Sequence, residues 1–243
     1  MATKLGSDVG YRSGIYNGYK VIGTQTLGLR GLVLWLKFNE GSGNIAYDSS
    51  FYNNHGTIYG ATWTDGKFGK ALSFDGVDDY VKVADSASLD IADEITIEAW
   101  IYPTKIEYYH TFISKVKNWR NDGFVVRLTG DGRVQFITLD FDYDVITSPE
   151  IKTYTWYHII AINKGGEFKR IYINGVLKGE NTDKVADITL NDAPLYVGFE
   201  PIHPNERFNG TIDEVRIYNR ALTEEEIKML YYNRIGAVPS KTI

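Results

Sequence analysis

The carboxylates and side-chain amides of this chain gather in loops, and a loop that pools oxygen donors can hold a hard cation. Calcium takes about six to eight oxygen ligands from carboxylates, amides and backbone carbonyls. Asn39, Glu40, Asp48, Asn53 and Asn54 follow the first strongly apolar strand, and Asp213 opens a strand near the C-terminus. First and last strands of a sandwich are expected neighbours, which would bring Asp213 to Asp48. The expectation is one calcium held by Asp48, Asp213 and backbone carbonyls, with Glu40 or Asn53 as a further donor. The alternative is that these side chains only hydrogen-bond their own turns. Asp75, Asp78 and Asp79 form a second acidic turn, with metal binding weighed against outward-facing hairpin carboxylates. Asp140, Asp142 and Asp144 would share one face of an extended chain. No glycine follows at the sixth position, so the helical calcium-loop motif fails. Their mutual repulsion suits a solvated loop, with contact to a sugar or cation as the alternative.

Aromatic side chains offer a different chemistry. The chain has 18 tyrosines and 5 tryptophans. Sugars present apolar faces that stack on rings and hydroxyls that meet planar polar groups. Binding concentrates in the loops at the ends of a sandwich. Four loop-like stretches mix rings with polar groups, and from them Tyr109, Trp119, Arg120, Tyr143, His203 and Arg207 are the expected ligand contacts. Trp35, Trp100 and Trp156 are expected to fill space between sheets.

Catalysis finds little support. Glycoside hydrolysis needs two carboxylates flanking the bond, and Glu98 stands on its strand without such partners. It is expected to pair with a cation such as Arg216. The four histidines, His55, His110, His158 and His203, accompany no nucleophile motif, and His158, inside a strand, reads as structural. The expectation is therefore a protein that is not an enzyme.

These residues need a scaffold, and its pattern is β. Leu32–Phe38 and Ile95–Tyr102 alternate as pleated strands do. Further strands are expected at 57–59, 61–63, 70–74, 79–83, 111–117, 123–128, 133–139, 156–162, 168–173, 185–190, 195–199 and 210–218. Asp75-Gly76 reads as a tight hairpin turn, and Asn174-Gly175 as a type I′ hairpin. Thr223-Glu224-Glu225-Glu226 is a capping box, followed by an apolar stripe at Ile227, Leu230 and Tyr231. One helix is expected there, ending near Asn233. Many short strands, Gly-rich turns and one terminal helix imply an all-β, two-sheet sandwich. Its expected limits are 31–236, with an arm or linker over 1–30 and a tail over 237–243.

Length and charge bound the function. A chain of 243 residues can bury a sizeable core. A net charge of −5 without a basic run argues against nucleic acid. Cysteine is absent, so neither disulfides nor thiolate metal sites are available. No apolar run matches a membrane span, and the N-terminus has no signal-peptide core.

Several motifs in order carry a family resemblance: Trp35-Leu36-Lys37-Phe38-Asn39-Glu40, Asp48-Ser49-Ser50 with His55-Gly56, and Phe74-Asp75-Gly76-Val77-Asp78-Asp79-Tyr80-Val81. Ile97-Glu98-Ala99-Trp100-Ile101, Trp156-Tyr157-His158 and Tyr172-Ile173-Asn174-Gly175 follow, and Gly210 to Leu222 ends the series. Over about residues 32–235 the chain resembles a laminin-G-like domain of the concanavalin A-like lectin/glucanase superfamily. The resemblance implies a jelly roll of two curved antiparallel sheets that binds glycans or proteins and often holds a structural calcium. The superfamily's glucanases carry Glu-x-Asp-x-x-Glu on one strand, which no stretch here shows. The expected function is a non-catalytic carbohydrate-binding module with a glycan or glycoprotein partner. It would belong to a cell-surface, secreted or virion protein, with the N-terminal arm reaching a neighbouring domain or subunit. A structural or protein-adhesion module is the first alternative, and a glycoside-acting enzyme with a non-standard site the second.

Overall fold

The computed structural model describes residues 15–16, 19–20, 30–118, 122–138, 144–183 and 185–235. The chain divides into residues 1–30 and 31–243. In the first unit Ile15–Tyr16 (β1) pairs antiparallel with Tyr19–Lys20 (β2). Apart from Arg30, the rest of the expected arm and the tail over 237–243 lie outside the described residues.

The second unit holds Leu32–Leu36 (β3), Ile45–Ala46 (β4), Gly56–Tyr59 (β5), Thr62–Asp65 (β6), Lys70–Asp75 (β7), Tyr80–Val83 (β8), Glu94–Pro103 (β9) and His110–Lys115 (β10). Phe124–Leu128 (β11), Val134–Ile137 (β12), Val145–Ile146 (β13), Tyr157–Lys164 (β14), Phe168–Ile173 (β15), Val176–Asn181 (β16), Leu195–Val197 (β17) and Asn209–Tyr218 (β18) follow, then the helix Glu224–Ile235 (α1). One sheet runs β13-β12-β11-β10-β17-β8-β5-β4. The other runs β16-β15-β14-β9-β18-β7-β6, with β3 also paired to β18. This is an antiparallel jelly roll with one short helix.

Alternation explains the layers. In β8, Val81 and Val83 point into the inter-sheet core, whereas Tyr80 and Lys82 point out. Leu36, Phe74, Ile97, Ile113, Val126, Phe136, Ile159, Leu195 and Val215 fill the same layer from both sheets. A second apolar layer lies under α1, where Leu32, Ile160, Ile162, Tyr172 and Tyr218 meet Leu222 and Ile227. The capping box forms as expected: the Thr223 amide donates to Glu226, and the Glu226 amide to the Thr223 hydroxyl. Asn174 and Gly175, at φ 52° and 76°, make the turn that joins β15 to β16.

The structure corrects two expectations. Asp75-Gly76 makes no hairpin. β7 pairs with β6 and β18 in one sheet, and β8 pairs with β5 and β17 in the other. The acidic turn carries the chain across the sandwich, since both flanking strands have their core faces turned to the same layer from opposite sheets. Residues 185–190 form no strand either; Val185 and Ile188 are buried, but the backbone hydrogen bonds of the segment go singly to Gly166, Ala92 and Gly123 rather than to one neighbouring strand.

Candidate functional site

Two outer sheet faces carry the polar and aromatic residues. On the first, β9, β14 and β18 place Glu98, His158 and Arg216 side by side. Arg216 Nη1 donates to Glu98 at 2.7 Å, and its Nη2 donates to Glu214. His158 Nε2 lies 3.0 Å from Glu98, and the Trp35 indole donates to Glu214 at 2.7 Å. Burial pushes the Glu98 carboxyl up, but the Arg216 charge and the His158 bond outweigh it and hold it below its usual range. Tyr231 of α1 roofs this network, stacking 5.9 Å from both Trp100 and His158. The expected Glu98–Arg216 pair is therefore present, and His158 is structural. Trp35, Trp100 and Trp156 were expected between the sheets, but none joins the inter-sheet core: the inward positions of β9 go to Ile97, Ala99 and Ile101, and Trp100 is buried on the outer face under Tyr231 with Trp35 beside Glu214.

The other outer face has no helix over it among the described residues. Tyr59 of β5 stacks on Tyr80 of β8 at 4.6 Å and 19°. Tyr80 in turn meets Tyr196 of β17 at 5.8 Å and Phe199 at 5.4 Å. The Arg207 guanidinium lies 4.1 Å over Phe199 and donates from Nε to the Pro204 carbonyl at 3.0 Å. The row is seated by pairing: β5, β8 and β17 are adjacent strands, and the residues beside the rings point into the core. The Phe199 carbonyl is held by the Ser114 hydroxyl at 2.7 Å. Burial, then the Tyr80 and Tyr59 hydroxyls, push the Tyr196 phenol up. Tyr59 is 43% exposed, and Tyr80, Tyr196 and Phe199 are half-buried, so ring faces and hydroxyls are offered together. Such a row can take the apolar face of a sugar and bond its hydroxyls.

Three of the expected ligand contacts adjoin this face. Arg207 belongs to it. His203 Nδ1 bonds the buried Glu200 carboxylate at 2.7 Å in the same 199–207 segment. Arg127 lies 3.9 Å over the Tyr109 ring and reaches Glu206 at 2.6 Å. Trp119, Arg120 and Tyr143 lie outside the described residues. Sequence reading missed Tyr59, Tyr80, Tyr196 and Phe199. Their signal was present: the three tyrosines occupy the outward positions of strands whose inward positions are apolar, where a solvated strand would carry polar side chains.

The expected calcium ligands are differently placed. Asp48 is filled by protein donors: its Oδ1 accepts the Trp35 and Ser50 amides at 2.8 Å each, and its Oδ2 the Ser50 hydroxyl at 2.6 Å and the Asn54 amide at 2.8 Å. Glu40 accepts the Tyr47 amide at 2.8 Å. Asn53 sits at φ 57°, its carbonyl accepting the His55 amide. Asp213 accepts the Phe68 amide at 2.9 Å, and burial pushes its carboxyl up to about 7. The Asp48 oxygens thus serve a turn, whereas Asp213 Oδ1 is buried without a hydrogen-bond partner among the described residues. Among the described residues the carboxylate groups that converge are Asp75, Asp78 and Asp79, and Glu200 and Glu206 with His203. In the first, burial and then the neighbouring carboxylates push Asp79 up, although the Asp75 amide donates to it at 2.8 Å.

The chain belongs to the concanavalin A-like lectin/glucanases superfamily, whose laminin-G family model matches residues 75–228. It is 31% identical over 119 residues to the adhesion G-protein coupled receptor D1 of Homo sapiens, a match covering 48% of this chain and 14% of the receptor. The chain thus matches a small part of that relative's length. Among solved structures, the binding domain of Paraclostridial Mosquitocidal Protein 1 superposes with a TM-score of 0.69 at 22% identity, over 84% of this chain and 52% of that one. Domain 4 of AbnA, a GH43 extracellular arabinanase from Geobacillus stearothermophilus solved with arabinotriose, gives a TM-score of 0.66 at 22% identity. That match covers 82% of this chain and 98% of that one. At these identities the likeness speaks for the fold. Among the described residues no helix is long and apolar enough to cross a membrane.

Proposed function

We propose that this chain is a non-catalytic glycan-recognition module whose ligand lies on the uncovered aromatic face of Tyr59, Tyr80, Tyr196 and Phe199. One observation carries the reading: four rings in mutual contact line a sheet face with no described helix over it, edged by an arginine. Its fold neighbours include the binding domain of a mosquitocidal protein and an extracellular arabinanase domain solved with arabinotriose, which supports a binding role within a larger secreted or surface protein. Trp119, Arg120 and Tyr143 stay proposed ligand contacts on the ground of their loop composition alone. A structural calcium stays a proposal drawn from loop composition and family resemblance. A melting temperature that rises with added calcium supports it, because a ligand of the folded state alone must raise stability.

The test of the glycan reading is a glycan array followed by calorimetry, on the natural chain and on Tyr80→Ala/Tyr196→Ala. Stacking partners contribute most of such affinity, so the double variant should lose at least about ten-fold in binding. Unchanged binding would move the ligand elsewhere. No glycan bound by either form would leave the protein-adhesion reading.

A further inference from the structure

The aromatic row does not account for a cleft of about 910 Å³ between the loop at Tyr52, the segment 87–94 and Asn219. Its volume is that of a small-ligand site. Its charge has one sign: Asp90, Asp93 and Glu94 line it, and none of the described lining residues is basic. Clefts lined by one charge focus the field and concentrate counter-charged ligands. Two of these acids are engaged. Asp90 lies 3.2 Å from Lys115 Nζ, which also bonds Asp85 at 2.7 Å, and Glu94 accepts the Ala221 amide at 3.0 Å and lies 3.7 Å from Lys164 Nζ. Asp93 is exposed, and among the described residues its carboxylate has no hydrogen bond or ion pair. These acids do not converge on one point as the two carboxylate groups described above do. With Asp90 and Glu94 facing lysines, the free negative charge of the cleft is that of Asp93, and a lone carboxylate suits an organic ammonium better than a metal ion.

The remaining lining sets the rest of the ligand. Tyr52 is 50% exposed at the lip, next to Phe51 at 93%. The loop that presents them is held by the four hydrogen bonds to Asp48 and by an edge contact of Tyr47 with His55 at 5.3 Å. An aromatic lip so held is preorganised, which lowers the entropy lost on binding. Ser88 and Asn219 add a hydroxyl and an amide, and Val33 and Ile91 an apolar floor. A ring to stack on, neutral groups that bond hydroxyls and an unpaired carboxylate together describe a sugar that carries a cation.

We infer that this cleft binds a glycan with free amino groups, with Tyr52 under the sugar ring and Asp93 against the ammonium. The inference rests on the reading of the chain as a glycan-recognition module and adds a second site of different specificity. The test is calorimetry with a glucosamine oligosaccharide carrying free amines and with its fully N-acetylated counterpart of equal length. The pair differs in charge on one backbone. The free-amine form should bind at least about ten-fold more tightly, and added salt should erode that preference. Asp93→Asn should abolish the preference, and Tyr52→Ala should weaken the free-amine form. Tyr80→Ala/Tyr196→Ala should leave it bound. Equal affinity for the two oligosaccharides, no binding of the free-amine form, or a preference that survives Asp93→Asn overturns the inference. So does a lysine-rich peptide that binds more tightly than the oligosaccharide and in an Asp93-dependent way. The glycan reading of the aromatic row fails separately, through array ligands whose binding ignores the Tyr80 and Tyr196 substitutions.

Discussion

The two outer sheet faces of this protein carry similar residue types and meet opposite fates. The face of β9, β14 and β18 holds Glu98, His158, Arg216 and Trp100, and α1 seals it with Tyr231. The face of β5, β8 and β17 holds Tyr59, Tyr80 and Tyr196, and no described helix lies over it. Charged and aromatic side chains in a strand therefore do not mark a site by themselves. A covered face must meet its charges with internal partners, at a desolvation cost, and becomes scaffold. A bare aromatic face keeps its stacking surfaces open to a ligand.

The largest test of this contrast strikes the covered face. Arg216→Met should cost about 3–5 kcal/mol of unfolding free energy, because Glu98 and Glu214 are left buried without their cation. Urea denaturation measures it, and a loss below about 1 kcal/mol would mean that the network carries little of the fold. The next test uses pH. Asp213 is buried and its carboxyl is raised to about 7. A raised acid pKa means that the folded state holds the proton more tightly. The group therefore lowers stability as pH rises from about 4 to about 7, by up to about 1.4 kcal/mol for each pH unit crossed. Asp213→Asn removes the titration, so its stability relative to the natural chain should improve across that window, and parallel pH profiles would count against it. The smallest effect belongs to the bare face. Tyr80→Ala/Tyr196→Ala should cost far less stability than Arg216→Met while losing glycan binding. A comparable loss of stability would make the row scaffold as well.

Much of the fold was legible in advance. The capping box at Thr223 and the Asn174-Gly175 turn were readable because short-range geometry decides them. The Glu98–Arg216 pair was readable because both occupy outward positions of long strands. The acidic turn was misread because a Gly-containing turn between two apolar strands looks the same whether they join one sheet or two. The ligand face was half legible. Tyr109, His203 and Arg207 stood out by their mixed polar and aromatic surroundings, whereas Tyr59, Tyr80 and Tyr196 sit about 20 and 120 positions apart in strands that looked ordinary.

By itself the sequence determined what local physics settles: period-two strands, their buried sides, one capped helix and a family-specific order of motifs. The tertiary structure alone decided which strands became neighbours, and with that which polar face α1 would cover. Strand pairing is a long-range choice, set by the fit of whole faces rather than by any one segment. For the same reason Asp48 became the anchor of a turn, with four donors from three separate residues closing on its carboxylate.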